Sequence, residues 1–203
     1  MKKWVSFFKD WALIKTVTLQ QQYLNEILNN TTKNDQLLEL GAGSGFSSLA
    51  LLFSGRENIV VSDFDPQVLE NIRVTMPLNA ELIDMFNITK SNKSVDCIYH
   101  QGLMEHFSDE EIVKSLTEQS RVAKLVIFDV PNNKRWKKIQ EYGNERFLSV
   151  CKWVKLIKQS GLKITKVTGR RFPKVFNYLP YFLQNNELIK RMFGTSSIFV
   201  CRS

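Results

Sequence analysis

Apolar and polar positions follow two different periods along this chain, and the alternation between them predicts its fold. Continuous apolar runs such as 36–40 and 59–63 are typical of strands that are buried on both faces of a sheet. The segments 66–75 and 109–120 have helical spacing instead. Strands and helices alternate in this way up to about residue 127, which predicts a parallel sheet covered by helices on both faces.

The two ends of the chain depart from this alternation. Residues 3–15 have apolar side chains at the spacing of an amphipathic helix, and residues 18–29 predict a second helix that leads into the first strand. The pattern after the sheet predicts, in order, a helix at 147–159 and strands at 162–169 and 197–201. The aromatic and basic connection 170–193 is long for a link between two strands, which usually indicates a function or a partner.

Three glycines at alternate positions follow the first strand and precede an apolar helical segment at 46–53. Gly41 and Gly43 allow the backbone to turn tightly and to approach a ligand without a Cβ in the way. The helix that follows directs its N-terminus at the same place. Glu39 comes just before the glycines, and its carboxylate would repel a phosphate but suits a ligand that carries an ammonium or a sulfonium group.

The E-x-G-x-G-x-G pattern of residues 39–45 resembles the first motif of the class I methyltransferases that depend on S-adenosylmethionine (SAM). The segments that resemble the later strands and turns of this family follow in unbroken order at 59–66, 84–86, 94–107 and 125–131. The resemblance implies an α/β, Rossmann-like three-layer sandwich with a seven-stranded, mostly parallel sheet whose last strand is antiparallel. It also implies SAM as the cofactor and S-adenosylhomocysteine as the product.

A single methyltransferase domain over residues 1–203 is the organisation that the resemblance implies. The N-terminal helices of 1–33 would cover the substrate, 34–131 would form the SAM-binding core, and 132–203 would provide the substrate side and the final hairpin. The insertion at 170–193 would act as a lid. A dimer interface and a contact with a membrane surface stay open as alternatives for the insertion, because basic and aromatic residues occur together in both.

The resemblance assigns a cofactor role to residues at the ends of successive strands. Asp63, which follows Gly41 by 22 residues, would bind both ribose hydroxyls. Asp84 would accept a hydrogen bond from the adenine amine, and Met85 and Phe64 would pack against the ring. The remaining cofactor contacts are assigned to Glu39, Ala42, Gly43, His100 and Gln101.

Fewer residues indicate the acceptor side of the predicted site. His106, in the turn after the fourth strand, is the candidate catalytic residue because histidine titrates near neutral pH. Tyr142 and Arg146 resemble a segment of small-molecule methyltransferases and would bind an aromatic or anionic acceptor, and Trp11 of the N-terminal face would cover it. A related subfamily holds a metal with E-x-x-E-H, but Gly102 stands in place of the first Glu here, so no metal is expected.

Cysteine usage and charge bear on the compartment and the partner. Three cysteines lie far apart, and no apolar run reaches the length of a membrane span, which favours a cytoplasmic protein with reduced thiols. Residues 1–130 carry 12 basic and 17 acidic side chains, whereas residues 131–203 carry 16 and 3. The C-terminal third is therefore expected to present a basic surface.

These observations together predict an enzyme that transfers a methyl group from SAM to a small-molecule acceptor. The acceptor would have an aromatic or otherwise apolar body, with a negative charge as an option. One alternative is a nucleic-acid methyltransferase that binds phosphates through the basic C-terminal third. A non-catalytic scaffold of the same fold is the other alternative, and a homodimer is an option for the assembly.

Overall fold

The fold consists of helices and strands that alternate along most of the chain. The computed structural model describes residues 11–134, 143–172, 176 and 178–203, and the side chains of residues 11–19 are outside this description. The helices are α1 (Trp11–Asn30), α2 (Phe46–Phe53), α3 (Pro66–Thr75), α4 (Asp109–Val122), α5 (Val150–Gln159), α6 (Tyr181–Gln184) and α7 (Glu187–Phe193). The strands are β1 (Leu37–Glu39), β2 (Ile59–Asp63), β3 (Asn79–Leu82), β4 (Val95–Gln101), β5 (Ala123–Pro131), β6 (Lys163–Arg170) and β7 (Ser196–Arg202). A short 3₁₀ helix at Met104–His106 follows β4.

Within the described residues the strands form one seven-stranded sheet in the order β3-β2-β1-β4-β5-β7-β6. Strands β1 to β5 are parallel to one another, whereas β7 runs antiparallel to both β5 and β6. This confirms the Rossmann-like sheet with an antiparallel last strand. The strand order reverses between β1 and β4, and ligands of open α/β sheets bind beside the carboxyl ends of the strands at such a point.

Two hydrophobic layers hold the helices against the sheet. Ile27 belongs to the layer under α1, α2 and α3, and Leu116 belongs to the layer under α4 and α5. The adjacent strand residues Ile98 and Tyr99 contribute to opposite layers, because successive side chains of a strand point to opposite faces. Both faces of the central strands are therefore covered, as the continuous apolar runs predict.

The N-terminal region contains one long helix where the sequence pattern predicts two. The described part of the predicted first helix continues without interruption through the expected break near residue 17, so that α1 spans Trp11–Asn30. The segment contains no Gly or Pro that would end a helix, and its apolar face packs on the sheet through Tyr23, Leu24 and Ile27. Among the described residues, no helix is both long enough and apolar enough to cross a bilayer.

The connection between β6 and β7 contains the two short helices α6 and α7. Helix α7 lies directly on β6, because a Cβ on Gly169 would come within 1.8 Å of the Lys190 carbonyl oxygen. Strand β6 ends at the same sheet edge as β1 and β4, so the insertion starts beside the ligand-binding edge. Its helices leave Tyr181 and Phe182 largely exposed. The assignment of this insertion as a lid stays a prediction.

Candidate active site

The turn from β1 into α2 requires glycine at each of its three glycine positions. Gly41, Gly43 and Gly45 have φ angles of 59°, 52° and 68°, in the left-handed region that side chains with a Cβ rarely adopt. A Cβ on Gly41 would also lie 2.8 Å from Leu103 Cδ1, whereas a Cβ on Gly43 would contact nothing within 4 Å. The turn therefore packs closely on the turn after β4 at Gly41 and is open at Gly43.

The carboxyl group of Glu39 is buried at the end of β1, with only 4% of the residue exposed. The Ser48 hydroxyl of α2 donates to Glu39 Oε2 and also lies 2.6 Å from the Tyr99 hydroxyl. Burial raises the pKa of Glu39 to about 7, although hydrogen bonds from Ser48 and Ser47 oppose the shift. A carboxyl group in this environment gains by pairing with a cation from the adjoining cavity.

Asp63 at the end of β2 is held in place by backbone N–H groups of two different loops. Gly43 N donates to Asp63 Oδ2 and Asp65 N donates to Asp63 Oδ1, each at 3.0 Å. Asp65 has the predicted separate role, because its carboxylate caps α3 by accepting from Gln67 N at 2.8 Å. The Asp63 carboxylate is therefore oriented before any ligand arrives.

An apolar cavity of about 330 Å³ lies beside Asp63 at the carboxyl edge of the sheet. It brings together the predicted residues Gly41, Asp63, Phe64, Asp84 and Met85. Phe64 is 78% exposed at this cavity, whereas Met85 is buried. The Asp84 carboxylate accepts from Phe86 N at 2.8 Å, which fixes one of its oxygens. The cavity thus combines apolar walls with two oriented carboxylates.

A second, polar cavity of about 550 Å³ lies on the other side of Gly41, which lines both. The predicted residues that line it are Glu39, Gly41, Ala42, Gly43, Gln101 and His106. Ala42 is anchored to the next strand, because its N–H donates to the Ser62 carbonyl oxygen at 2.9 Å. One continuous edge therefore offers an apolar and a polar compartment that meet at Gly41.

The ring of His106 is oriented by a residue far away in the sequence. Its Nδ1 lies 2.7 Å from the Asn144 side-chain oxygen, which can only accept, so Nδ1 carries the proton in this contact. In the neutral ring the lone pair is then on Nε2. Both side chains line the polar cavity. The geometry is therefore that of an oriented imidazole at the cavity wall.

His100 lies in the core and not at either cavity, which corrects the expected position of its side chain. It is completely buried, stacks on Phe128 with ring centroids 5.1 Å apart, and burial lowers its pKa to about 3. The reason is the alternation along β4, in which Gln101 points to the polar cavity and the preceding residue points away. The burial favours a structural role for His100.

Of the three residues predicted to bind the acceptor, Arg146 is the one whose side chain the structure describes. Arg146 donates to the Phe107 carbonyl oxygen and to Asp109 Oδ1, the latter at 2.7 Å. Its guanidinium therefore joins the turn after β4 to the start of α4. Tyr142 lies outside the described residues, and so does the side chain of Trp11. Their proposed contacts with an acceptor stay predictions.

Some residues of the two cavities were not predicted from the sequence. Those of the apolar cavity are Leu40, Ile83, Phe86, Leu103 and Phe107. Those of the polar cavity include Gln20, Ser47 and Asn144. The apolar residues in the turn after the fourth strand were a usable signal, because a turn rarely keeps such side chains unless they pack on something. No comparable signal marks Gln20, which α1 brings to the site from a distant part of the chain.

Comparisons with known proteins agree with this geometry. Residues 37–125 match the family model described as a methyltransferase domain. No curated protein matches the sequence. Among solved structures, a methyltransferase of Thermotoga maritima described as a possible histamine N-methyltransferase has a TM-score of 0.69 and 17% identity, with 98% of this chain and 96% of that chain covered.

Two further solved structures show how widely the fold is shared. The complex of the Haloferax volcanii Trm112 methyltransferase activator with a methyltransferase gives a TM-score of 0.69 at 16% identity, covering 98% of this chain and 96% of that chain. Geranyl diphosphate C-methyltransferase from Streptomyces coelicolor, solved with S-adenosylhomocysteine, gives 0.63 at 11%, covering 91% and 80%. At these identities the likeness concerns the fold.

The family match and the fold together indicate the class of this protein. Residues 37–125 match a methyltransferase domain, and the chain has the Rossmann-like fold of the SAM-dependent methyltransferases. This match indicates SAM as the cofactor.

Proposed function

We propose that this enzyme transfers the methyl group of SAM to a small-molecule acceptor. The observation that carries the proposal is the pair of cavities that meet at Gly41, one apolar with two carboxylates and one polar. Their volumes, about 330 and 550 Å³, are in the range of small-molecule sites. The acceptors named for two structural neighbours, histamine and geranyl diphosphate, are also small molecules.

The residues that line the cavities fit the chemical parts of SAM one by one. Asp63 would bind the ribose hydroxyls, because its two oxygens are already oriented by backbone N–H groups. Asp84 would accept from the adenine amine, and Phe64 and Met85 would pack on the ring faces. Glu39 would bind the cationic amino-acid end, because its burial favours a cationic partner.

The close packing at Gly41 is a second argument for placing SAM across the two cavities. A Cβ there would come within 2.8 Å of Leu103, which lines the apolar cavity, so glycine lets the two turns pack closely beside it. Gln101 and Ala42 would complete the polar side of the cofactor site. When bound, SAM supplies an electrophilic methyl group on its sulfonium.

On the acceptor side, we propose that His106 assists the reaction from the wall of the polar cavity. Asn144 orients the ring at the cavity wall, and an imidazole there would be in a position to accept a proton from an acceptor N–H or O–H group. The enzyme otherwise has to hold the two reactants together and exclude water. The pairing of Arg146 with Asp109 removes one reason to expect an anionic acceptor.

Transfer of a radiolabelled methyl group from SAM into a cell extract tests this function. The extract is then separated into small-molecule, lipid, protein and nucleic-acid fractions. We expect label in the small-molecule or lipid fraction, and the same reaction with the Asp63→Ala variant serves as the blank. Label that is lost on nuclease treatment and falls steeply with salt would contradict the proposal and favour the basic C-terminal third as a phosphate-binding surface.

A further inference from the structure

A buried chain of hydrogen bonds runs from the polar cavity to the end of β6. Gln101 Nε2 donates to Asp129 Oδ2 at 3.1 Å, and the Arg170 guanidinium donates to the same oxygen. Asp129 is 3% exposed and Arg170 is 2% exposed, so the ion pair is shielded from water. The three residues lie near the carboxyl ends of β4, β5 and β6.

The ion pair between Asp129 and Arg170 joins two strands that are not neighbours in the sheet. Strand β7 lies between β5 and β6, and Arg170 is paired in register with Ser196. Ser196 is in turn paired with Pro131 of β5, two residues beyond Asp129. Because Arg170 is the last residue of β6, the ion pair also marks the start of the insertion.

The hydrogen-bonding groups in this series fix which way the side-chain amide of Gln101 points. An ionised carboxylate can only accept hydrogen bonds, so Gln101 must turn its NH₂ group toward Asp129 and its carbonyl oxygen elsewhere. The Arg170 guanidinium can only donate, so the Asp129 oxygen that it shares with Gln101 acts as an acceptor. Gln101 lines the polar cavity, and Oε1 is the end of its amide that remains for a ligand.

We propose that Arg170 and Asp129 are positioning residues that hold the Gln101 carbonyl oxygen toward the ammonium group of the amino-acid part of SAM. This inference rests on the proposed function of the cleft. Glu39 lines the same cavity, so the ammonium group would be bound by one carboxylate and one amide oxygen. Neither Arg170 nor Asp129 touches the ligand in this arrangement, and both act through Gln101.

The test compares two ligands that differ in the amino-acid part alone. S-Adenosylhomocysteine carries the ammonium group, and 5′-methylthioadenosine has the same adenosine and thioether but lacks it. Calorimetric titration of Arg170→Met is expected to show an affinity for S-adenosylhomocysteine that is lower by about tenfold, the size of one charge-assisted hydrogen bond. The affinity for methylthioadenosine should stay within about twofold, and Arg170→Lys, which keeps a donor of positive charge, should lose less affinity for S-adenosylhomocysteine than Arg170→Met.

A double-mutant cycle distinguishes a positioning role of Arg170 from a general destabilisation of the fold. If Arg170 acts through Gln101, then Gln101→Leu lowers the affinity for S-adenosylhomocysteine alone, and adding Arg170→Met to it causes little further loss. If Arg170→Met does not fold because Asp129 is left unpaired, Arg170→Met combined with Asp129→Leu removes both charges and gives the same comparison.

Three results would overturn the inference. They are an equal loss for both ligands, an unchanged affinity for S-adenosylhomocysteine in a folded Arg170 variant, and a Gln101→Leu protein that binds both ligands as the wild type does. Failure of the proposed function would look different, since the labelled methyl group would then appear in nucleic acid or protein while the wild type still binds S-adenosylhomocysteine.

Discussion

The polar side chains of the two compartments of the cleft are oriented by different kinds of contact, which also differ in how far apart the partners lie in the sequence. Around the apolar cavity, Asp63 and Asp84 accept hydrogen bonds from backbone groups of their own or a neighbouring loop. Around the polar cavity, His106 is oriented by Asn144, 38 residues away. Gln101 is oriented by Asp129, 28 residues away. The proposed adenosine side thus depends on backbone donors of the loops that carry or adjoin its two carboxylates, whereas the proposed amino-acid and acceptor side depends on side-chain pairs from more distant segments.

The largest effect is expected from Asp63→Ala, which removes the central acceptor of the locally built compartment. The substitution deletes the proposed ribose contacts and leaves the Gly43 and Asp65 N–H groups without their acceptor. The affinity for SAM should fall more than tenfold, which corresponds to roughly 1.5–3 kcal/mol for charge-assisted hydrogen bonds. Calorimetric titration measures it.

Glu70→Ala is the matched control for Asp63→Ala. Glu70 lies exposed on α3, and its contact with Arg73 is a surface ion pair at 3.8 Å, so its loss should leave the affinity for SAM unchanged. If Asp63→Ala bound SAM as tightly as Glu70→Ala does, the assignment of the end of β2 to the ribose would be wrong.

The next prediction concerns the buried carboxyl group of Glu39. Its replacement should raise the stability of the apo protein and lower the affinity for SAM. Its pKa of about 7 in the fold, against an ordinary 4.5, means that the folded protein holds a proton that the unfolded chain releases. Stability is therefore lost as the pH rises from about 4.5 through 7. Glu39→Gln should make the apo protein more stable at pH 8, by about 3 kcal/mol, while it weakens SAM binding.

Urea unfolding of wild type and Glu39→Gln at pH 5 and pH 8 measures the stability part. Burial also raises the pKa of Glu105 to about 7, so the wild type alone could show this pH dependence for two reasons. The difference between the two proteins isolates Glu39. If the free energies of unfolding of the two proteins differed by the same amount at both pH values, the ionisation of Glu39 would not be the cause. If Glu39→Gln bound SAM as tightly as the wild type, the assignment of Glu39 to the cofactor site would be wrong.

The contrast between the compartments also explains how much of the molecule could be predicted. The sheet and the positions of Asp63 and Gly43 follow from runs and turns that are short in sequence. The orientation of His100 could not be obtained in this way, because both faces of β4 are covered and the apolar run does not show which side chain faces the cleft. Asn144 and Arg170 reach their partners through tertiary pairing, which no local pattern encodes.

An effect on turnover, and not on SAM affinity, is expected from His106→Ala on the acceptor side. If the imidazole assists proton removal, turnover should fall by about a hundredfold while the affinity for SAM changes little, because general-base catalysis contributes about that much. Asn144→Ala should produce a smaller fall, since it removes only the group that orients the ring. Steady-state kinetics with the acceptor found in the labelling experiment measure both, and equal turnover of His106→Ala and wild type would make His106 a structural residue.

The smallest effect should come from the exposed aromatic residues of the insertion, which line neither cavity. Tyr181 and Phe182 are 81% and 72% exposed, so serine at both positions should change the free energy of unfolding by less than about 0.5 kcal/mol. If the insertion closes over the acceptor, turnover falls about two- to fivefold while SAM affinity is unchanged. Val74→Ser, at an exposed site on α3, is the control. Unchanged turnover together with loss of a dimer in sedimentation, or loss of binding to anionic vesicles, would instead make this surface an interface and leave the cleft without a lid.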